Sequence, residues 1–271
     1  MFYSFREQRG AILAMLAGAA LCAQARAETN PDAREIIDQA VARAQRAQAN
    51  SAQPAFTYTK MSVTEALDSS GRIKERKEKT YQVVFQNGSS FLRLVEVNGH
   101  APGAADLKKQ KDNEVTVNQL VGDKKASNAE KRENFLTPEL VQRFDFKVIS
   151  ECLVNQRKAY QITFQPKTPE VPVHHLVDKL LNRISGTLWI DAEEFEVARA
   201  DMNLKSEVTL LGGVAGTLKK LVYTMSRTRV ADGLWLNTFS SGDFEGRKLI
   251  DFMRVKTHSH STNFKLLGVQ S

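Results

Sequence analysis

Long segments of alternating apolar and polar residues dominate the C-terminal third of the chain and restrict its fold more than any other feature. They cover Gly186–Ile190, Glu196–Leu210, Gly216–Val230, Leu234–Glu245 and Arg247–Phe264, with an Asp232-Gly233 turn before Leu234. Ala198, Ala200, Met202, Leu204 and, past Ser206, Val208 fall on one side of their segment, and Arg199, Asp201, Asn203 and Lys205 on the other. Period two places successive side chains on opposite faces of a strand. Long strands joined by tight turns pair antiparallel, so one strongly curved antiparallel sheet is predicted.

The same pattern begins upstream. Phe56–Leu67, Ile73–Gln86 and Phe91–Val97 read as strands, with turns at Asp68–Gly71 and Asn87-Gly88. Phe146–Val154 and Lys158–Gln165 read as a second pair around Asn155-Gln156. Helix signals precede them: Asn30 can cap, Pro31 suits the first helical position, and Asp32 and Glu35 favour the first turn. Ile36, Ile37, Ala40, Val41 and Ala44 then share a face at helical spacing, in a helix ending near Asn50.

Two stretches interrupt the β pattern. Residues 103–144 are polar with sparse Leu107, Val115, Val117, Leu120 and Val121, which fits helix with loop. Within them Thr137-Pro138-Glu139 starts a short helix carrying Leu140, Val141 and Phe144. Residues 166–184 begin as a linker with Pro166, Pro169 and Pro172 and continue into the amphipathic His174–Asn182.

The first 27 residues read as an export signal, with Arg6 and Arg9, an apolar core Ala11–Ala23, and Ala25-Arg26-Ala27 as the cleavage site before Glu28. The apolar run is shorter than the ~20 residues of a membrane span. Cys22 admits an acylated N-terminus, but Leu21 before it is bulky where a lipobox has a small residue. Cleavage lowers the formal charge of +7 by two and leaves Cys152 as the one cysteine. The exported chain then has no internal disulfide, so its fold rests on its apolar core, with Cys152 buried and inert.

At 42% hydrophobic and 25% charged residues, the 271-residue chain is neither collagen-like nor wholly disordered. A mean hydropathy of −0.36 excludes a bundle of membrane spans. Catalytic motifs are missing as well. Gly88-Ser89-Ser90-Phe91 and Ser240-Ser241-Gly242-Asp243 lack the nucleophile-elbow spacing, and Gly212–Gly216 lacks the Lys-Ser/Thr ending of a phosphate loop. His174-His175 are adjacent, and His258 and His260 share a strand face without a third ligand, so no metal, cofactor or catalytic residue is assigned. Lys219, Lys220, Arg227, Arg229, Arg247, Lys248, Arg254, Lys256 and Lys265 form basic strands that read either as solvated edges or as a surface attracted to anionic head groups. Nucleic acid does not suit an exported chain.

The segment Gly186-Thr187-Leu188-Trp189-Ile190-Asp191, followed by Glu193-Glu194-Phe195-Glu196-Val197-Ala198-Arg199-Ala200, resembles the strand and hairpin of outer-membrane lipoprotein-sorting proteins, in the periplasmic lipoprotein carrier superfamily. Element order agrees over nearly the whole mature chain. The resemblance implies a mainly β (α+β) fold, an open half-barrel with an N-terminal helix and short lid helices, in a single domain over 28–271. It also implies a non-enzymatic periplasmic protein that binds lipid or lipoprotein acyl chains, with inner- or outer-membrane proteins as further partners. A sensor or interaction module binding an envelope protein through the same fold is the alternative. The expected lining is Tyr81, Val83, Phe85, Tyr160, Ile162, Phe164, Trp189, Met202, Leu204, Leu221, Tyr223 and Met225, with Arg93 as the lid latch. Alternation alone fits an ordinary core and a lipid-sized cavity alike, and favours the core.

Overall fold

The computed structural model describes residues 32–49, 56–86, 89–111, 136–173, 176–210, 216–248 and 251–267. The export signal, Asn30, Pro31, Asn87-Gly88, Val115 to Val121, His174-His175 and residues 211–215 lie outside them. Eleven described strands form one antiparallel sheet: β1 Phe56–Leu67, β2 Ile73–Gln86, β3 Ser89–Val97, β4 Phe144–Val154, β5 Arg157–Pro166, β6 Ile184–Asp191, β7 Val197–Leu204, β8 Val208–Leu210, β9 Gly216–Ala231, β10 Leu234–Lys248 and β11 Asp251–Leu266. Their order is β3-β2-β1-β11-β10-β9-β7-β6-β5-β4, with β8 beside β9. Among the described strands β3 and β4 are the edges and do not pair with each other, so the sheet is an open half-barrel, as expected. The described helices are α1 Ala33–Ala49, α2 at 104–111, α3 Pro138–Val141 and α4 Leu176–Leu181. None of them is long and apolar enough to cross a membrane.

Local chemistry accounts for most boundaries. Asp32 precedes α1, and its carboxylate accepts from the backbone N–H of Arg34 at 3.1 Å. Ile36, Ile37, Ala40 and Val41 are buried along one stripe of that helix. Thr137 caps α3 and Pro138 opens it. Phe144, expected on that helix, instead begins β4 and is buried. Asn155 and Gln156, with φ of 50° and 64°, make the two-residue β4–β5 turn, whose backbone twist suits a hairpin. The segment read as one strand over 196–210 is broken after Leu204, and its register against β9 slips before β8 resumes at Val208.

The core gathers on one face of the sheet. Ile36 and Ile37 of α1 pack with Val141, Phe144, Ile162, Phe164, Leu188, Ile190, Ala200 and Met225. Gly186 is required there because an added Cβ would come within 1.9 Å of the Asp201 carbonyl and 3.0 Å of the Phe164 ring, which lies across it. Cys152 is half-buried rather than buried: a register shift after Val148 puts it opposite Ala159, outside the core.

Candidate functional site

Pairing turns alternation along each strand into rows across the sheet. On the helix-bearing face one row runs from β4 to β3 through Val148, Ile162, Leu188, Ala200, Met225, Ser240, Ser259, Ser62, Lys79 and Val97. Its neighbour runs through Phe146, Phe164, Gly186, Met202, Tyr223, Gly242, Thr257, Thr64 and Lys77. Both rows change chemistry at the same strands. They are mostly apolar as far as β9, hydroxyl or glycine across β10, β11 and β1, and lysine on β2.

The apolar end is roofed. Ile162 and Met225 are 0% and 1% exposed beneath α1. Tyr160, Met202, Leu204 and Tyr223 are only partly buried and pack against the same cluster together with Leu180 and Leu181 of α4. Ion pairs tie the roof down. Arg43 of α1 reaches Glu194 and Glu196 at 3.6 and 3.1 Å and donates to the Gly233 carbonyl at 2.9 Å. Arg227 also pairs with Glu196, Arg229 pairs with Glu194, and the Trp235 indole donates to Glu194 at 2.7 Å. Beside them Arg157 grips Asp191 through two hydrogen bonds of 2.6 and 3.0 Å. Burial pushes the Asp191 carboxyl up, but Arg157 and the backbone N–H groups of Glu194 and Glu193 outweigh it and hold the group below its ordinary value. Glu194 is likewise lowered by Trp235 and Arg229 against the effect of its burial. A second clasp, Arg143 to Asp178 at 2.8 Å with Asn182 donating to the Val171 carbonyl, ties α4 and the proline-rich segment to the start of β4.

Structural neighbours of the chain are LolA-like and DUF1329 proteins. A domain described as an outer membrane lipoprotein-sorting protein from Vibrio parahaemolyticus matches with 8% identity and a TM-score of 0.32, over 89% of this chain and 95% of its own. A DUF1329 family protein from Desulfovibrio piger matches with 14% identity and a TM-score of 0.31, over 88% and 95%. MucB, solved in complex with MucA(peri), matches with 9% identity and a TM-score of 0.26, over 87% and 100%. No protein-family model and no curated protein matches the sequence.

The lysine end carries a different device. Asp106 of α2 lies 3.1 Å from Lys77 Nζ and 4.0 Å from Lys79 Nζ. Gln110 of the same helix accepts from the Leu94 backbone N–H of β3 at 2.9 Å. Val83 and Leu94 are buried nearby. Half-buried Tyr81 has its phenol pushed up by burial. Lys60, opposite Tyr81 on the same face, is half-buried and makes no ion pair among the described residues.

The expected lining residues therefore separate. Tyr160, Ile162, Phe164, Met202, Leu204, Tyr223 and Met225 come together in or against the core. Leu221 shares their face, paired with Phe244, and Tyr81 and Val83 share it four strands from β9. Phe85 pairs with Ser90 in the β2–β3 ladder, and its side chain lies outside the described residues. Trp189 is on the opposite face, between Gln161 and Arg199, with the Arg199 guanidinium 4.8 Å above its ring. Its neighbours Leu188 and Ile190 take the core face, so period two turns it away. Arg93 is also turned away: it sits opposite Gln82, exposed, while Leu92 and Leu94 take the helix side. The arginines that tie α1 and α4 down by ion pairs are Arg43 and Arg143.

The basic strands are corrected in the same way. Lys220 binds Asp243 at 2.8 Å, Arg254 lies 3.7 Å from it, and Arg227 and Arg229 belong to the roof clasp, so these charges meet internal carboxylates. Lys219 and Arg247 are exposed. On this open face a concavity of about 470 Å³ is lined by Val63, Glu65, Arg76, Ser241, Asp243, Lys256 and His258 among others. Its wall is charged and does not suit an acyl chain. His258 and His260 do share this face, with ring centroids 6.0 Å apart. No group of three metal-ligating side chains occurs among the described residues.

Lys77, Lys79, Asp106 and the Arg43 clasp were not expected from the sequence. The i, i+2 spacing of Lys77, Lys79 and Tyr81 on β2 was a signal that they share a face; nothing local pointed to Asp106.

Proposed function

We propose that the mature chain, Glu28 onward after cleavage at Ala27, is a non-enzymatic periplasmic protein of one domain that binds acyl chains of lipid or lipoprotein between its apolar sheet face and the roofing helices. The observation that carries this reading is the incomplete roof. Ile162 and Met225 are sealed, whereas Met202, Leu204, Leu221 and Tyr223 continue the apolar face only partly buried. Contact with an acyl chain gains about 0.8 kcal/mol per buried methylene, enough for several methylenes to hold a ligand after ordering costs. Apart from these clasps the roof rests on apolar contact, which a chain can replace. Unbranched Met202 adapts to such an occupant.

Native mass spectrometry of protein purified from the periplasm should find co-purified lipid. Leu204→Gln places an amide in the wall and should weaken a fluorescent fatty-acid probe about tenfold, with the melting temperature nearly kept. A wild-type protein that binds no such probe defeats the proposal.

The envelope-sensor alternative draws support from the sheet edges. β4 exposes Ile149 and Leu153 at 52% and 70%, whereas on β3 Gln110 already takes the Leu94 amide. Unpaired edges of this kind can take a partner strand. Lipid-free protein whose edge-strand amides gain exchange protection on adding envelope extract would favour that role.

A further inference from the structure

We propose that the ligand is an anionic amphiphile whose head group replaces Asp106 at Lys77 and Lys79 while its chain runs toward Met202 and Tyr223. The inference rests on the acyl-chain reading and adds the class of head group. Two adjacent rows on one face both pass from apolar through hydroxyl to lysine, which is the polarity order of a lipid laid across the strands. From β9 to β2 there are four interstrand steps, about 19 Å at the usual spacing. That distance is the hydroxyl strip, and the apolar face continues beyond it from Tyr223 of β9 to Met202 of β7.

Charge at the far end is out of balance. Asp106 is a single carboxylate facing both Lys77 and Lys79, and Lys60 adds a third ammonium on the same face. The side chains of Lys77 and Lys79 are 38% and 29% exposed and that of Asp106 20%, so the ions are partly shielded from water. Glu75, the acid on the same face of β2, is exposed and makes no ion pair among the described residues. A phosphate offers more charge and more acceptor oxygens than one carboxylate and would engage both lysines more strongly. Asp106 thus stands where the head group would sit, and α2 is the element that must yield. Ser62, Ser259, Ser240, Thr64 and Thr257 between the two ends offer hydroxyls to the polar backbone that joins head to chain.

The test compares myristoyl lysophosphatidic acid with monomyristoylglycerol, which share chain and glycerol and differ by the phosphate. Both are titrated into the full mature protein below their micelle concentrations, with inorganic phosphate as a third arm. Lysophosphatidate should bind at least tenfold tighter than the monoglyceride. The Lys77→Met/Lys79→Met double variant should bring the two within about threefold, and Asp106→Asn should widen the ratio. Equal wild-type affinities would overturn the head-group assignment and leave the acyl-chain reading standing. Failure of both lipids to bind would overturn both. Inorganic phosphate binding as tightly as the lysophosphatidate would replace the amphiphile with a plain anion site.

Discussion

The two halves of the sheet share the same alternation and the same face, yet they are built differently. Under α1, from β4 to β9, the inward rows hold mostly Ile, Leu, Phe, Met and Ala, and several of these side chains are fully sealed. From β10 to β2 the same rows hold Ser, Thr, Gly and Lys, mostly half-buried. Apolar area removed from water supplies most of a fold's stability. The first half therefore carries the core. The second half is free to hold polar groups that a core would exclude, so stability is concentrated in one part of a continuous surface.

The largest effect should come from the sealed half. Ile162→Ala opens a cavity at a fully buried site and should cost about 2–5 kcal/mol in denaturant unfolding. A loss below about 1 kcal/mol would show that this half is already loosely packed.

Next comes the clasp. Asp191→Asn keeps the shape but gives up the charge that Arg157 grips, and should cost about 2 kcal/mol at neutral pH. The folded protein holds this carboxyl below its ordinary value of 3.8. Its contribution is therefore complete above that value and is lost as pH falls through the lower folded value. Thermal melts from pH 6 down to pH 2 should fall more steeply for wild type than for Asp191→Asn, with the curves converging in acid. Parallel curves would show that Asp191 adds no pH-linked stability.

Glycines give a like-for-like comparison between the halves. In the sealed half, Ala at Gly186 meets the Asp201 backbone carbonyl at 1.9 Å, which has little room to move. In the other half, Ala at Gly242 meets the Phe244 ring at 2.3 Å, a side chain that can rotate aside. Gly186→Ala should cost about 1–3 kcal/mol and Gly242→Ala less. The reverse order would mean that the Phe244 ring is held as rigidly as backbone.

The smallest effect is expected at Ser259, whose hydroxyl bonds that of Ser240 at 2.8 Å. Ser259→Ala should change unfolding free energy by less than about 1 kcal/mol. A larger loss would make the hydroxyl strip part of the core after all.

Much of the fold was legible locally. β1 and β2 begin and end where alternation begins and ends, and the buried stripe of α1 is the one its spacing implied. Errors arose where a neighbour in space decides. Trp189 is large and apolar, yet its parity sends it to Arg199 on the open face. Arg227 and Arg229 look like free surface charge in the sequence, but Glu196 and Glu194 meet them from the β6–β7 connection.

The candidate site divides along the same line. The sequence determined that Ile162, Met202, Tyr223 and Lys77 each alternate onto a definite side of their own strand, because the pleat fixes that within a few residues. Only the tertiary structure decided which strands lie side by side, and therefore that the apolar residues of β5 to β9 and the lysines of β2 end the same rows. Strand order comes from pairings far apart along the chain: β1 meets β11 across roughly the full length of the described residues. Local propensity cannot specify such a partner. It is set when the whole sheet forms and one face is covered, since a slip of one residue in any pairing would turn that strand's apolar side chains outward.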